Sequence, residues 1–346
     1  MRPVAVLVTA VGAPGAAALL RHLRENGERE VRIVGCDMNP LSIGRFVCDA
    51  FHTVPAGSDP SFADAVLDVC RAERVDIVLP ESSNDLMELA LAKERFASEG
   101  FPVMVSPPEG IRRANDKAEF LELLDELGVP APAWRRVSTA AEFSRAAEEL
   151  GYPEESVCFK PAVEKGGRGF RILDPTVDRA HQLLHERPGA LAMRLEDVLE
   201  VLPEDFGEEL LVMEFLRGTE KAIDGIAENG RVLLAHPKTR EAIRAGLAMY
   251  FRTLDDENLL EIARKIVGGL GLDHFFSVNL VGDVVIELNP RISTWVYQDD
   301  LNMPYLGLKH ALGEVSADEL AAEFERVRPT RRALRYFDQV EWDEPK

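Results

Sequence analysis

The chain has 346 residues, of which 46% are hydrophobic and 29% charged, and its 60 acidic and 40 basic residues give a net charge of −20. This balance is that of a globular protein and excludes disordered, collagen-like and low-complexity chains. The length predicts two or three subdomains, and the acidity disfavours a protein that coats nucleic acid, although a local basic cleft can still bind a phosphorylated small molecule.

The uncharged stretch Pro3–Leu20 could be mistaken for a signal peptide or a membrane span. Pro14-Gly15 interrupts it, and the segment from Val4 is better explained as a buried strand. The four cysteines are scattered without a CxxC pair, which favours free thiols in a reducing compartment. We therefore expect a soluble, cytoplasmic protein that binds neither nucleic acid nor a membrane.

Strands and helices alternate through the first hundred residues. The predicted strands are Val4–Val8, Val31–Asp37, Asp76–Pro80 and Pro102–Val105, and the predicted helices are Ala16–Glu25, Phe62–Ala72 and Met87–Phe96. Alternation of this kind builds an open parallel sheet covered by helices on both faces.

The turn after the first strand contains Gly12 and Gly15, and Asp37 ends the second strand. This arrangement resembles a dinucleotide-binding loop with an acid for the ribose, but Ala10 stands where the first glycine of that pattern belongs. Tight-turn geometry explains the two glycines as well. Gly12 is nevertheless kept as a candidate contact to a small-molecule substrate.

A second region begins after Pro107-Pro108, where Asp116 and Glu119 have the spacing of a helix-capping box. Lys117 then lies in the first helical turn, where the backbone N–H groups already present positive charge. A bound anion would resolve that conflict. A solvated surface lysine is the alternative explanation.

Lys160 ends a hydrophobic strand, Ser156–Lys160, and is followed by the glycine-rich turn Gly166-Gly167-Arg168-Gly169 and a strand at Phe170–Leu173. A lysine in such a run stays buried only where its ammonium group meets an anion, and otherwise extends to solvent. The glycines allow backbone amides to approach phosphate closely, and Arg168 adds a guanidinium group. Together these residues indicate a flap over a triphosphate.

The last part of the chain contains further strands and one long helix. The predicted elements are strands at Leu210–Leu216, Ala222–Ala227, Val232–Ala235, Phe275–Val281 and Val284–Asn289, helices at Asp256–Leu270 and Tyr305–Leu312, and a peripheral helix and short strand after Glu314.

Glu287, Asn289 and Arg291 alternate along the strand that follows Gly282-Asp283, so their side chains share one face. A carboxylate and an amide oxygen suit a magnesium ion, and a guanidinium group suits the phosphate that the ion accompanies. A solvated, ion-paired strand face is the alternative. Asn279 would join the metal ligands if a three-residue loop or a bulge paired it with Glu287, which we favour. A two-residue turn would pair it with Ile286 instead.

The order of Lys117, Lys160 with its glycine flap, Met213-Glu214-Phe215-Leu216 and Glu287-x-Asn289-x-Arg291 resembles the ATP-grasp superfamily. The likeness is to ligases similar to carbamoyl phosphate synthase and to single-chain amino-acid ligases, and it extends over about residues 1–315. It implies a pre-ATP-grasp open-sheet domain at 1–112, a linker helix and lid subdomain at 113–212, and a C-terminal subdomain with the metal site at 213–346.

The resemblance also implies roles for these residues. Lys117 and Lys160 would contact the ATP phosphates, the flap would cover them, and the segment Glu214, Phe215 and Leu216 would bind adenine through backbone groups, with Glu220 on the ribose. Asn279, Glu287 and Asn289 would hold Mg²⁺ or Mn²⁺, and Arg291 would face the transferred phosphate. Lys238, Arg240 and Arg244 would line the acceptor side, with Arg244 on the substrate carboxylate.

The predicted reaction is ATP-dependent ligation of a small carboxylic acid, such as an amino acid, to an amine or a thiol through an acyl phosphate. A homodimer is left open as the assembly. Two alternatives remain: a nicotinamide-dependent oxidoreductase that uses the N-terminal sheet, and a nucleotide-binding protein without turnover. Asn279, Lys221 and Ala222 depart from the residues usual in the superfamily at their positions.

Overall fold

The computed structural model describes residues 2–163, 167–186, 189, 191–244, 247–293, 301–329, 331–336 and 338–343, with the side chain of Arg244 outside this description. The chain divides into two compact units. Unit 1 comprises residues 1–114, 219–279 and 288–346, and unit 2 comprises residues 115–218 and 280–287. Among the described helices, none combines the length and apolar character needed to span a bilayer.

Unit 1 begins with a four-stranded parallel sheet, which confirms the predicted open α/β fold. The strands are β1 (Val4–Thr9), β2 (Val31–Asp37), β3 (Ala50–Thr53) and β4 (Ile77–Leu79), in the order β3-β2-β1-β4. The helices are α1 (Ala16–Arg24), α2 (Gly44–Val47), α3 (Phe62–Glu73), α4 (Leu86–Leu91), α5 (Lys93–Ser98) and α6 (Pro108–Asn115). The strands form because their apolar runs are buried on both faces of the sheet.

Two local predictions in this region were wrong, and one helix was missed. The single helix expected at Met87–Phe96 is divided at Ala92 into α4 and α5. Pro102–Val105 does not form a regular strand, since only Val103 makes a bridge, to Val78. Helix α6 was not predicted, because its charged sequence offers few apolar positions.

Unit 2 is built on a five-stranded sheet with helices on one face. Its elements in chain order are α7 (Lys117–Glu126), β5 (Trp134–Thr139), α8 (Ala140–Glu149), β6 (Val157–Pro161), β7 (Arg171–Leu173), α9 (Arg179–His185), β8 (Ala192–Met193), α10 (Leu195–Leu199) and β9 (Asp205–Glu214). The strand order is β5-β9-β6-β7-β8. Val157 and Phe159 of β6 pack into the core that α8 and α10 cover, and the ring of Phe143 meets that of Phe159 edge-on at 5.0 Å. The alternate residues of β6 therefore face away from that core.

Helix α7 begins where the capping pattern predicted. The Asp116 side chain accepts hydrogen bonds from the backbone N–H groups of Ala118 (3.0 Å) and Glu119 (3.1 Å). We expect Asp116→Ala to lower the free energy of unfolding by about 1 kcal/mol, since an N-cap oxygen satisfies helix donors that are otherwise unpaired. Asp116→Asn, which keeps the acceptor oxygen, is the matched control. Equal urea midpoints for the alanine variant and the wild type would contradict this assignment.

The chain after β9 forms a further sheet, in which residues 280–287 belong to unit 2 and the rest to unit 1. The elements are β10 (Glu220–Glu228), β11 (Arg231–Arg244), β12 (Leu247–Arg252), α11 (Glu257–Leu270), β13 (His274–Val281), β14 (Val284–Asn289), α12 (Met303–Ala311), α13 (Ala317–Ala322), a 3₁₀ turn at Glu323–Arg326 and β15 (Arg332–Leu334). The strand order is β14-β13-β10-β11-β12-β15. Gly271 ends α11 with a φ of 60°, a left-handed conformation that glycine adopts without strain.

Only Gly282 and Asp283 lie between β13 and β14. The three-residue loop favoured from the sequence is therefore wrong. The observed turn has the length associated with an Asn279 side chain that faces away from Glu287. Asn279 is half-buried on β13, and its role as a metal ligand through a bulge stays a prediction.

Candidate active site

The face of the unit 2 sheet opposite α8 and α10 carries Lys160 and Cys158. Leu211 and Met213 of β9 pair with these two residues and are buried. Burial lowers the pKa of Lys160, while the nearby Glu287 carboxylate opposes that shift. Nζ of Lys160 makes a long contact, 3.4 Å, to the carbonyl oxygen of Ile286. Lys160 is thus a half-buried lysine, with its charge disfavoured by burial, beside an apolar surface.

Lys117 lies next to the same strand. Its backbone N–H donates to the carbonyl of Ala162 at 3.0 Å, and its side-chain Nζ lies 3.4 Å from the same oxygen. Since Ala162 follows β6 by one residue, the fold brings the first turn of α7 beside the end of the strand that carries Lys160. This positions a helix N-terminus and a lysine side chain together, a combination that favours anions.

The described part of the glycine turn is Gly167-Arg168-Gly169, and Gly166 lies outside the described residues. Gly167 and Gly169 have φ values of 71° and 70°. A Cβ on Gly169 would lie 2.5 Å from Cδ of Pro161, so this position excludes larger residues both by conformation and by space. Arg168 is exposed. The turn therefore presents backbone and one guanidinium group with no bulky side chain at Gly169.

Glu214, Phe215 and Leu216 follow the buried part of β9. The backbone of Glu214 is engaged on both sides, because its N–H donates to Ala133 at 2.8 Å and its carbonyl lies 3.7 Å from Sγ of Cys158. The Glu214 carboxylate also accepts from the N–H of Ala133 at 3.3 Å. Phe215 and Leu216 are half-buried. The segment is thereby fixed against unit 2 beside the Cys158 and Met213 surface.

Glu287 also belongs to unit 2 and is exposed on β14. The electrostatic interaction between Glu287 and Lys160 connects it to the face described above. Lys117, Lys160, Glu287 and the segment from Glu214 are thus assembled within one unit, although up to 170 residues separate them along the chain.

Asn289 and Arg291 belong to unit 1, where they lie beside Ser83. Nε of Arg291 donates to Oγ of Ser83 at 3.0 Å, and that hydroxyl lies 3.5 Å from Oδ1 of Asn289. A second Arg291 nitrogen, Nη1, donates to the carbonyl of Ile292 at 2.6 Å. Ser83 therefore holds both motif residues, a role that their spacing alone could not indicate.

Strands β10 and β11 carry a row of charged residues on one face. Glu220 pairs with Arg240 at 3.2 Å. Lys238, two residues before Arg240, forms a buried diagonal ion pair with Asp224, four residues after Glu220. Nζ of Lys238 also lies 5.4 Å above the ring of Phe251. Lys238 is 3% exposed, so it acts within the sheet rather than as a free substrate ligand. His236 is buried nearby, and burial lowers its pKa to about 4.

The loop after β1 is occupied by the side chain of Asp37. Its carboxylate accepts from the N–H of Gly12 at 2.7 Å and from the N–H of Asn39 at 2.8 Å, and a Cβ on Gly12 would lie 2.8 Å from Asp37 Oδ2. The acid that a dinucleotide site would turn toward a ribose is here bonded to its own loop. The geometry therefore favours the tight-turn explanation of Gly12.

Glu81 is a candidate that the sequence reasoning missed. It follows β4 by two residues and is 7% exposed, and its Oε2 atom has no hydrogen-bond partner. Burial raises the pKa of Glu81 to about 8, with Asp85 and Asp37 adding to the rise and Arg291 and Arg335 opposing it. The signal available in the sequence was a carboxylate directly after a buried parallel strand, where ligand sites of open sheets lie.

The raised pKa of Glu81 predicts a pH-dependent stability. Between the ordinary carboxyl pKa and about 8 the unfolded chain loses a proton that the folded chain keeps, so stability falls as pH rises through this window. When the pH rises from about 5 to about 8.5, the free energy of unfolding of the wild type should fall by on the order of a few kcal/mol relative to that of Glu81→Gln, because one pKa unit corresponds to about 1.4 kcal/mol. Urea unfolding at both pH values measures this difference, and a gap between the proteins that is independent of pH would contradict it.

The assembled residues fit a magnesium-bound nucleoside triphosphate. Lys160 is held desolvated, Lys117 begins a helix, and glycines at 167 and 169 leave backbone accessible. An exposed carboxylate, Glu287, is the oxygen donor that a hard divalent cation takes.

Two family models match the chain. Residues 206–332 match the family described as ATP-grasp in the biosynthetic pathway with Ter operon, and residues 6–104 match the PylC-like N-terminal domain. The carbamoyl phosphate synthase large chain of Corynebacterium glutamicum is 29% identical over 284 residues, which cover 77% of this chain and 23% of the synthase. The chain thus spans less than a quarter of that relative.

Solved structures share the fold. The biotin carboxylase of Campylobacter jejuni, solved as a β,γ-ATP complex, has a TM-score of 0.63 at 18% identity, covering 89% of this chain and 71% of the carboxylase. The L-amino acid ligase of Bacillus licheniformis has a TM-score of 0.62 at 17% identity, covering 96% of this chain and 78% of the ligase.

Proposed function

We propose that this chain, whose residues 206–332 match an ATP-grasp family model and whose residues 6–104 match the PylC-like N-terminal domain, is an ADP-forming ligase that joins a small carboxylic acid, such as an amino acid, to an amine or a thiol. The observation that carries this proposal is the assembly within unit 2. A desolvated lysine, a second lysine at a helix start and an exposed carboxylate surround one face of the sheet.

In the proposed reaction a carboxylate oxygen of the substrate attacks the γ-phosphorus of ATP. The bond from that phosphorus to the oxygen of ADP breaks, which leaves an acyl phosphate and ADP. The amine or thiol then attacks the acyl carbon, loses its proton, and releases inorganic phosphate. Such transfers need positioning and charge neutralisation more than a protein nucleophile.

The chain's own residues supply those requirements. Lys160 and Lys117 would neutralise phosphate oxygens, and the interaction of Lys160 would be the stronger because that residue is half-buried and a charge pair strengthens as solvent is excluded. The turn Gly167–Gly169 would offer backbone N–H groups to the same phosphates. Glu287 would hold the divalent cation, which supplies charge neutralisation between the phosphoryl oxygens when bound.

The remaining motif residues keep the roles that the resemblance implies, as parts of the proposal. Asn289 and Arg291 would act on the cation and the transferred phosphate, and Glu214–Leu216 and Glu220 would contact the nucleoside. Arg240 is already paired with Glu220. The side chain of Arg244 lies outside the described residues, and its role toward the substrate carboxylate stays a prediction.

ADP release with magnesium-ATP across a panel of amino acids, each tested with and without added amines and thiols, tests the proposal. We expect ADP formation that depends on one class of carboxylate. NADH consumption, or ATP binding without carboxylate-dependent ADP under any condition of the panel, would support an oxidoreductase or a non-catalytic binding protein instead.

A further inference from the structure

In the N-terminal sheet of unit 1 the topological switch point, here called the crevice, lies at the carboxyl ends of β1 and β4. In the order β3-β2-β1-β4, strands β2 and β3 lie on one side of β1, and β4 lies on its other side. The loops after β1 and β4 therefore part at this point, and open α/β sheets bind ligands where that happens. Ala10, the first residue after β1, has a φ of 50°, and such strain in a residue with a side chain is concentrated at functional sites.

Glu81 lies at this crevice, and its hydrogen bonding is incomplete. The side chain is 7% exposed, and Oε2 is buried without a hydrogen-bond partner. Leaving a buried polar atom unpaired costs free energy that folding alone does not recover. An unpaired buried carboxyl oxygen after a strand at the switch point indicates a position that a ligand completes.

The surrounding charges indicate which ligand. Asp85 is 5% exposed and accepts from the Thr9 hydroxyl at 2.6 Å, and Asp85 and Asp37 both place negative charge toward Glu81. Arg291 and Arg335 face it with positive charge. With Glu81 ionised the three carboxylates outnumber the two guanidinium groups, so a monovalent cation would balance the cluster.

A metal ion is not the ligand that this geometry suits. Within the described parts of the chain, no group of three or more His, Cys, Asp or Glu side chains is arranged to hold one. A protonated amine carries a single positive charge and N–H donors, and it needs only one or two acceptors at hydrogen-bond distance. A protonated amine therefore matches the unpaired carboxyl oxygen of Glu81, whose neighbours Asp85 and Asp37 already accept other hydrogen bonds.

We propose that this crevice binds the protonated amino group of the small molecule that the enzyme ligates, with Glu81 as the acceptor. The identification of that molecule as a substrate rests on the proposed function, whereas the affinity of the crevice for ammonium does not. The proposal restricts the substrate class to compounds with a free amine away from the reacting centre, such as amino acids.

Binding of ethylammonium chloride, measured by NMR titration in the absence of ATP, tests the site directly. We expect saturable binding to the wild type and at least about tenfold weaker binding to Glu81→Gln, since a charge-assisted hydrogen bond contributes this much or more. Glu94→Gln, an exposed residue of α5 in the same unit, is the matched control and should bind like the wild type. Absence of binding, or equal binding to both variants, would overturn the proposal.

A kinetic comparison separates this proposal from the proposed function. If ADP forms with amino acids, we expect the matched acids without an amino group to be poor substrates, and Glu81→Gln to raise KM for the amino acid with KM for ATP unchanged. Equal ADP formation with both kinds of acid would contradict the amine site and would still support the ligase activity. Ethylammonium binding without any ADP formation would support the amine site and contradict the proposed ligase activity.

Calorimetry on the wild type covers the case in which Glu81→Gln does not fold. Because Glu81 holds a proton near neutral pH, ethylammonium binding at about pH 7 should release close to one proton, measured in buffers of different ionisation enthalpy. Binding that releases none contradicts a role for Glu81.

Discussion

Lys160→Met is expected to lower kcat/KM for ATP by at least about 100-fold in the ADP-release assay, because the variant loses a charged donor to phosphate in a site with little water. The ammonium group lies on a face that Cys158, Leu211 and Met213 make apolar. Its hydrogen bond to the carbonyl of Ile286 is 3.4 Å long, and the Glu287 carboxylate opposes the effect of burial only in part.

The same substitution should leave the protein equally stable or more stable. Burial disfavours the charged form of Lys160, as the direction of its pKa shows, and methionine has a similar length without a charge to desolvate. Activity and stability would then move in opposite directions, as expected for a residue retained for function. Lys265→Met, on the exposed side of α11, is the control. Activity of the Lys160 variant within about threefold of the wild type would refute the phosphate role, since a lost charged donor costs more.

Glu287→Gln is expected to reduce ADP formation at saturating ATP by at least about 100-fold, since the amide keeps the shape but removes the charge that attracts a divalent cation. Raising the Mg²⁺ concentration should recover part of the rate, because the loss acts through cation affinity. The side chain is exposed on β14, so we expect the free energy of unfolding to stay within about 0.5 kcal/mol of the wild type.

A matched control for this variant is Glu325→Gln, a carboxylate in the 3₁₀ turn of unit 1. It should retain wild-type rates and wild-type Mg²⁺ dependence. A Glu287 variant whose rate falls equally at every Mg²⁺ concentration would argue against a cation ligand, and an unchanged rate would remove Glu287 from the site altogether.

Local patterns in the sequence predicted most elements. The long strands β1, β2 and β13 and the helix α11 follow from uninterrupted apolar runs and from caps at Asp256 and Gly271. Predictions failed where short-range signals are weak. The helical pattern is interrupted at Ala92, where neither a proline nor a glycine indicates a break. The length of the loop between β13 and β14, on which strand register depends, was also predicted wrongly by one residue.

The sequence by itself determined the α/β class, the cap of α7 and the residue types suited to a nucleotide and a cation, because these depend on neighbours within a few positions. Only the tertiary structure decided that Lys117, Lys160 and Glu287 belong to one unit. It also decided that Lys238 forms an ion pair with Asp224, and that Glu81 is buried with one oxygen atom lacking a hydrogen-bond partner. Burial and charge balance are set by contacts between distant segments, and no local pattern records them.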